Sequence, residues 1–452
     1  MNEQLSLDQY RALAQLRAFI ADPAERAWAL SGPAGTGKTW LVGRLLREIR
    51  TRVRFHLTAT THKAASVAAA LGDGESRTIH SLLGLRPQED HQRGRMILRQ
   101  HTAPKVKAGE LVIIDEASMI DSALLAIIDR HAREIGFRVL YVGDAYQLPP
   151  IFEAASPVFA AVPTSHLSSI HRQASDNPII AAATGFRQVL DGEDWPAIAA
   201  HGDAVRHVGE REFNGLLLEY FASRDYASNE DHARAIAWTN SRVRELNTLI
   251  RSRLQGPAAD RWPYLPGEAF ILNEALIERG EILIANEARV VVESAAPVML
   301  TGHLGAEDFH AHRLTVRTDR GHAIIHAADN AAQLKATLDR MAWRAKQAQR
   351  LADADPRGRD FGELDRQRRE AWRDFFALKE LFADLRPPHA STIHKSQGST
   401  FNHALIDVGD IGACPRADTI ARLLYVAITR PRQTATLTGD LPERLYNHRQ
   451  AA

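Results

Sequence analysis

The chain has 452 residues, of which 45% are hydrophobic and 25% charged, and its formal net charge is +1. This length predicts two to four domains, and the near-zero charge argues against binding to nucleic acid through an overall basic field, although a local basic groove stays open. A single cysteine, Cys414, excludes an intrachain disulfide framework and a zinc site built from cysteines.

The first residues show no signal-peptide pattern, and no apolar run reaches the roughly 20 residues that span a bilayer. We therefore expect a cytoplasmic protein, of a bacterium or of a phage inside its host, with no membrane partner.

Up to about residue 165, helical patterns alternate with apolar runs at 54–60, 110–117 and 138–145, which predict buried parallel strands. This alternation is typical of an α/β sheet that binds ligands at the carboxyl ends of its strands. Residues 86–109 are polar and basic instead, and we expect a hairpin insertion there.

Residues 32–39 fit the phosphate-binding pattern G-x-x-x-x-G-K-[ST], between an apolar run and a helical pattern. Glycines let backbone N–H groups surround phosphates, and the helix N-terminus adds the positive end of its dipole. We expect Lys38 to reach the β- and γ-phosphates of ATP and Thr39 to bind Mg²⁺. The predicted loop consists of Gly32, Pro33, Ala34, Gly35, Thr36, Gly37, Lys38 and Thr39.

Two acidic segments follow the next predicted strands. Asp115 can hold the metal and Glu116 can polarise an attacking water. A kinase would not need Glu116, so the pair favours hydrolysis. Asp144 and Gln147 could lie against the γ-phosphate, although an ordinary polar turn is an equally good interpretation of that segment.

A second alternating region begins near residue 165, with a strand and helix predicted at 233–254 and strands at 401–409 and 434–440. Between them, short β-runs from 260 to 330 predict a small barrel, followed by two charged helices up to 386. Arg172 and Arg430 are candidates for cations brought to the γ-phosphate, as an arginine finger is, or else ordinary surface or ion-paired arginines.

In chain order, the P-loop, DEAS (115–118), GDAYQLPP (143–150), IHRQ (170–173), STIHKSQGSTF (391–401) and LLYVAITRPR (423–432) resemble motifs I to VI of superfamily 1 helicases. LSLDQ (5–9) resembles the Q motif, whose glutamine reads adenine. The chain is most similar to the Dda-like group within the RecD/Pif1-like branch, superfamily 1B. The resemblance implies that Gln9 and Gly398 join the nucleotide site, with ATP and Mg²⁺ as cofactors.

The resemblance also implies an α/β fold of two tandem RecA-like P-loop domains. Domain 1A would be 1–164, with a small hairpin (1B, the pin) at 86–109, and domain 2A would be 165–257 and 388–452. An SH3-like domain 2B would occupy 258–387, with its helices forming a tower and hook that brace the pin. Two departures are Asn286-Glu287, where the family barrel commonly has Asn-Gly, and a pin without an aromatic residue near its tip.

The implied activity is 5′→3′ translocation on single-stranded DNA and duplex unwinding by a monomer, in replication, recombination or repair. Its partners would be single strands, junctions with duplex, and a single-stranded-DNA-binding or replication protein. Candidate DNA contacts, which position phosphates without reading sequence, are Thr60, Thr61, His62, Lys63, Thr78, His80, Asn240, Thr392, His394 and Lys395, with Met96 and Ile97 on the pin. Threonine and asparagine at such positions are also good helix caps.

The predicted catalytic set is Lys38, Asp115, Glu116, Gln147, Arg172 and Arg430. Three other functions stay open. The chain could be a clamp or loader whose ATP use only toggles DNA affinity, or a subunit of a nuclease complex. RNA could also replace DNA as the substrate, because phosphate contacts do not exclude a 2′-hydroxyl.

Overall fold

The computed structural model describes residues 5–60, 77–92, 94–150, 153–169, 177–278, 281–301 and 308–446. The chain forms two compact units. The first contains 1–85, 100–246 and 389–452, and the second contains 86–99 and 247–388. Within the described ranges, no helix combines the length and apolar character needed to cross a membrane.

The first unit contains two parallel sheets, and we call each sheet with its helices a lobe. The strands of the first lobe are β1 (Ala27–Ser31), β2 (Phe55–Ala59), β3 (Arg77–Thr78), β6 (Leu111–Asp115), β7 (Arg138–Gly143) and β8 (Thr164–His166). Its helices are α1 (Leu7–Ala21), α2 (Lys38–Ile49), α3 (Ile79–Leu82), α4 (Ser122–Ile135) and α5 (Val158–Ala161). The six strands lie in the order β3-β2-β6-β7-β1-β8, all parallel.

The sheet of the first lobe is buried on both faces. Successive residues of β6 point to opposite sides, so Leu111 and Ile113 join one apolar core while Val112 and Ile114 join the other. Three strands lie within the predicted runs. Because β8 pairs with β1, this sheet extends to His166, two residues beyond the boundary expected at 164.

The second lobe is built around another parallel sheet. Its strands are β9 (Val205–Val208), β10 (Ala233–Ala237), β18 (Ala390–Thr392), β19 (Phe401–Asp407) and β20 (Pro431–Thr438). Its helices are α6 (Pro178–Leu190), α7 (Glu210–Ala222), α8 (Arg224–Ser228), α9 (Asn240–Gln255, which continues into the second unit), α13 (Ile393–Ser396), α14 (Val408–Gly412) and α15 (Ala417–Ile428). The strand order is β18-β10-β19-β20-β9, and the apolar face of α15 lies in its core.

The second unit contains an antiparallel sheet and a pair of long helices. Its elements are β11 (Ala269–Leu272), β12 (Leu276–Glu278), β13 (Glu281–Ile284), β14 (Arg289–Leu300), β15 (Phe309–Thr318), β16 (Gly321–Ala328), β17 (Leu385–Arg386), α10 (Ala258–Arg261), α11 (Ala331–Ala354) and α12 (Phe361–Leu381). Five strands pair in the order β16-β15-β14-β11-β17, and β12 pairs with β13. The predicted β-runs and charged helices are therefore present. Glu287 takes the left-handed φ of 60° that glycine would favour in the turn before β14.

The predicted pin is a hairpin of β4 (Leu85–Asp90) and β5 (Arg95–Gln100). The hairpin ends at Gln100 instead of 109, because the following residues hydrogen bond back to the first lobe, as the Lys105 N–H does to the Leu82 carbonyl (2.8 Å). Its turn packs against α12 within the second unit. A Cβ on Gly94 would lie 1.9 Å from the ring of Trp372, which is 3% exposed.

Candidate nucleotide site and DNA-binding edges

The phosphate-binding loop follows β1 and leads directly into α2. Gly35 and Gly37 have φ values of 82° and 80°, in the left-handed region that favours glycine. A Cβ on Gly32 would lie 2.8 Å from the nearest side-chain oxygen, so this position also requires glycine. The Lys38 ammonium donates to the carbonyls of Gly32 (2.5 Å) and Pro33 (3.0 Å), which holds it against the loop.

Asp115 and Glu116 lie at the end of β6. The Glu116 N–H donates to Asp115 Oδ1 (2.8 Å), and Glu116 has a φ of 54°, which is uncommon for a residue with a side chain. Desolvation raises the pKa of Asp115. Desolvation and then the Asp115 charge raise the pKa of Glu116 to about 7, against the opposing effects of Arg430 and Lys38. A carboxylate with a pKa near neutrality suits general-base work, and strained backbone is common at functional sites.

Arg430 brings a buried cation from the second lobe towards this acidic pair. It follows α15 and is 6% exposed, with its guanidinium donating to the carbonyls of Val426 (3.0 Å) and Ser399 (3.3 Å). Desolvation lowers the pKa of Arg430, and the charge of Glu116 opposes that shift. Arg172, the other predicted cation, lies outside the described residues.

The residues present fit a nucleoside triphosphate with Mg²⁺. The loop N–H groups stand at the start of a 12-residue helix, whose dipole favours anions. The Thr39 side chain is exposed there, and Asp115 lies at the end of β6, which β7 separates from β1 in the same sheet. Within the described ranges, no group of three or more His, Cys, Asp or Glu residues could hold a metal ion. Thr39 and Asp115 stay the predicted ligands of the Mg²⁺ that accompanies the phosphates. The buried Gln147 Oε1 has no hydrogen-bond partner among the described residues and could accept from an attacking water.

The other two residues predicted for the nucleotide site are Gln9, which contacts the phosphate-binding loop, and Gly398, which follows a residue that contacts the first lobe. Gln9 is fully buried, and its side chain donates to the Thr36 carbonyl (3.0 Å) and accepts from the Ser6 N–H (3.2 Å). It thereby joins the start of α1 to the phosphate-binding loop. Gly398 has a φ of 67°, and the preceding Gln397 donates to the Leu148 carbonyl of the first lobe (3.4 Å).

Two residues of α15 contact the first lobe, and the sequence analysis missed both roles. The Tyr425 hydroxyl accepts from the Ala34 N–H (2.8 Å) and donates to Asp144 Oδ2 (2.5 Å). Arg422, one turn earlier, donates to the Ala145 carbonyl (2.8 Å). Their i, i+3 spacing puts both on one helix face. Tyr425 lies within LLYVAITRPR, which was already singled out, and Arg422 directly precedes that segment.

The candidate DNA contacts of the described ranges lie at corresponding edges of the two sheets. Thr60 follows β2 and Thr78 ends β3, the outer pair of the first sheet, whereas Asn240 follows β10 and Thr392 ends β18, the outer pair of the second. The Thr78 hydroxyl accepts from the Ser81 N–H (3.2 Å), and the Thr392 hydroxyl accepts equivalently from the Lys395 N–H (3.4 Å). Both threonines therefore cap short helices, the alternative that the sequence left open.

Some of the remaining residues predicted to contact DNA lie in the described ranges, and others do not. His80 and His394 each lie two residues after a capping threonine, and burial lowers the pKa of His394. On the hairpin, Met96 is 41% exposed and Ile97 is half-buried. Thr61, His62 and Lys63 lie outside the described residues.

Asp410 organises the loop before Asn240 and was not predicted. Its carboxylate accepts from the N–H groups of Trp238 (2.7 Å) and Thr239 (2.8 Å) and from the Thr239 hydroxyl (2.7 Å). A carboxylate with three donors orients the start of α9, where Asn240 is exposed.

Comparison with known proteins finds family matches for an amino-terminal and a carboxy-terminal segment of the chain. Residues 4–208 match the AAA domain family, and residues 388–438 match the UvrD-like helicase C-terminal domain. The chain is 25% identical to the ATP-dependent DNA helicase dda of Enterobacteria phage T4 over 432 residues, which is 89% of this chain and 92% of that protein. These matches support the resemblance of the chain to the RecD/Pif1-like branch of the superfamily 1 helicases.

Two further helicases match over shorter stretches. The ATP-dependent RecD2 DNA helicase of Deinococcus radiodurans is 35% identical over 45% of this chain and 27% of its own length. The ATP-dependent DNA helicase Pif1 of Bdellovibrio bacteriovorus is 35% identical over 33% of each chain. With the two parallel sheets, these matches confirm the predicted α/β class with tandem RecA-like domains. The SH3-like character of 258–387 stays a prediction.

Proposed function

We propose that this RecD/Pif1-like chain is an ATP-dependent DNA helicase that translocates 5′→3′ on single-stranded DNA and unwinds duplex. The observation that carries the proposal is a repeated arrangement. In each parallel sheet the outer strand ends at a threonine, Thr78 or Thr392, which caps a short helix that begins with Ile-His. A strand of phosphates lying along both sheets would meet the same group twice, once per lobe.

The nucleotide chemistry lies at other strands of the first sheet. Lys38 follows β1 and Glu116 follows β6, whereas Arg430 comes from the second lobe. Bound Mg²⁺ would neutralise developing phosphate charge. Glu116 would hold the attacking water, and Arg430 would stabilise the transferred phosphate from across the lobes. Release of the cleaved phosphate would remove the charge that Arg430 faces, and it would thereby change the spacing of the two repeated DNA-binding edges.

The 5′→3′ direction is supported by the resemblance of the motifs and is tested by tailed duplexes. We expect ATP-dependent unwinding of a DNA duplex with a 5′ single-stranded tail and little unwinding of the same duplex with a 3′ tail. Matched RNA tails decide between the two nucleic acids. Equal unwinding from both DNA tails would contradict the direction, and steady ATP turnover without unwinding of any substrate would favour a clamp or loader.

Strand separation is expected to depend on the packing of the hairpin turn against α12. Gly94 has a φ of 60°, where an L-residue costs about 1–2 kcal/mol, and its substitution by alanine would also displace the Trp372 ring. We expect Gly94→Ala to slow unwinding several-fold while DNA-stimulated ATP turnover is retained, because the hairpin lies outside the nucleotide site. Steady-state turnover and gel-based unwinding measure the two effects.

Gly109→Ala is the matched control for this prediction. Gly109 has a φ of 79°, but a Cβ there would meet nothing within 4 Å. It therefore carries the backbone strain without the ring contact. If both variants unwind duplex equally well, the packing against Trp372 has no part in strand separation.

A further inference from the structure

We propose that Tyr425 is a positioning residue that couples the phosphate-binding loop to the second lobe, an inference that rests on the proposed function and deepens it. Its hydroxyl accepts from the Ala34 N–H (2.8 Å) and donates to Asp144 Oδ2 (2.5 Å). Ala34 belongs to the phosphate-binding loop, Asp144 follows β7, and Tyr425 lies on α15. One hydroxyl group therefore joins two segments of the first lobe to the second lobe.

The three groups meet where water has little access. Tyr425 is 2% exposed and Asp144 is fully buried. A hydrogen bond between a hydroxyl and a buried carboxylate is among the stronger neutral-to-charged contacts, and it favours the arrangement in which the lobes touch. Removing the hydroxyl leaves each lobe its own core but takes one donor from the Asp144 carboxylate.

A bound triphosphate would act on this contact directly. The Ala34 N–H is one of the backbone donors of a loop that surrounds phosphates. A terminal phosphate near this loop and the Tyr425 hydroxyl draw on the same donor. Filling the loop therefore changes the hydrogen bonds of Tyr425, and with them the position of α15.

The same contact reaches the segment that contains Gln147. Asp144 Oδ1 accepts from the Tyr146 N–H (3.0 Å), and the Asp144 carbonyl accepts from the Gln147 N–H (3.1 Å). Arg422 donates to the Gln147 carbonyl (3.1 Å). Helix α15 thus holds this segment at two points, and Tyr425 is the one that also touches the phosphate-binding loop.

The test measures coupling between nucleotide and DNA in the full chain. The readout is the ratio of the dissociation constants for fluorescent oligo-dT without and with Mg²⁺ and a non-hydrolysable ATP analogue. We expect Tyr425→Phe to bring this ratio at least about fivefold closer to one, the lower end of typical coupling between sites. Its affinity for a fluorescent ADP should change less than about threefold, which a general loss of structure would not allow.

Tyr226→Phe is the matched control. The Tyr226 hydroxyl makes a buried hydrogen bond to His389 Nδ1 (2.8 Å), but both groups lie in the second lobe. Both variants should lose thermal stability, and only Tyr425→Phe should lose coupling. Adding Asp144→Asn to Tyr425→Phe should change the ratio no further, since Tyr425→Phe has already removed the hydroxyl that donates to residue 144.

Three results would overturn the inference: a wild-type ratio of one, a wild-type ratio retained by Tyr425→Phe, or an equal loss in Tyr226→Phe. Failure of the proposed function would look different. A wild-type chain that does not unwind tailed duplex removes the helicase assignment, while the coupling ratio still decides the role of Tyr425.

Discussion

Replacing Lys38 with alanine is expected to lower ATP turnover by about 10²- to 10³-fold and to abolish duplex unwinding. The Lys38 ammonium is held by two carbonyls of the phosphate-binding loop, at 2.5 and 3.0 Å. It would move from these carbonyls to the phosphates, where its charge stabilises the transition state. Turnover with saturating oligo-dT and unwinding of a 5′-tailed duplex measure the loss.

DNA binding by Lys38→Ala should stay within a few-fold of wild type. The candidate DNA contacts of the first lobe follow β2 and β3, whereas Lys38 follows β1 on the other side of the sheet. Lys105→Ala, which removes an exposed lysine of the same lobe, should leave all three activities unchanged. Normal unwinding by a clean preparation of Lys38→Ala would show that ATP bound at this loop does not drive unwinding.

Replacing Arg430 with glutamine is expected to have an effect of similar or larger size. An arginine that stabilises transferred phosphate is worth about 10³- to 10⁵-fold in turnover, and Arg430 is the described cation of the second lobe that interacts with Glu116. Nucleotide affinity should change little, because the loop of the first lobe would still bind the phosphates. Single-turnover hydrolysis and fluorescent-nucleotide binding separate the two quantities.

Stability has to be separated from chemistry at this position, since Arg430 also donates to the Val426 and Ser399 carbonyls. Arg430→Lys keeps the charge and loses the planar guanidinium, so it should fold better than Arg430→Gln and still hydrolyse slowly. Arg432→Gln, at an exposed position two residues away, is the control. Turnover by Arg430→Gln above about a tenth of wild type would contradict a role at the phosphate, given the size expected for such an arginine.

Strands buried on both faces could be predicted well from the sequence. The runs at 110–117 and 138–145 contain β6 and β7 because such strands consist almost entirely of apolar residues. β8 and β9 were missed, since β8 has three residues that are all polar, β9 has four of mixed polarity, and they depend on pairing with β1 and β20. The end of the hairpin was also wrong, because hydrogen bonds to the first lobe, and not composition, decide where β5 ends.

In the candidate site, too, local sequence patterns could be predicted and contacts between distant residues could not. The phosphate-binding loop and the acidic pair are local patterns, and their residues lie together as their strand positions require. Contacts between lobes depend on the completed fold, since Tyr425 is 391 residues from Ala34 and 281 from Asp144. The repeated Thr-Ile-His was visible in the sequence and could have been used, because an identical triplet after two strands predicts two identical helix caps.

The strand order of the second lobe has a consequence for synthesis on the ribosome. β10 pairs with β18 and β19, and β9 pairs with β20, so neither early strand of this sheet pairs with the other. Until residue 390 has emerged, β9 and β10 have none of the neighbours that their sheet supplies, whereas all six strands of the first sheet precede residue 167. The nascent chain would therefore carry a folded first lobe next to two unpaired β-segments, and chaperones and aggregation compete for the chain during this interval.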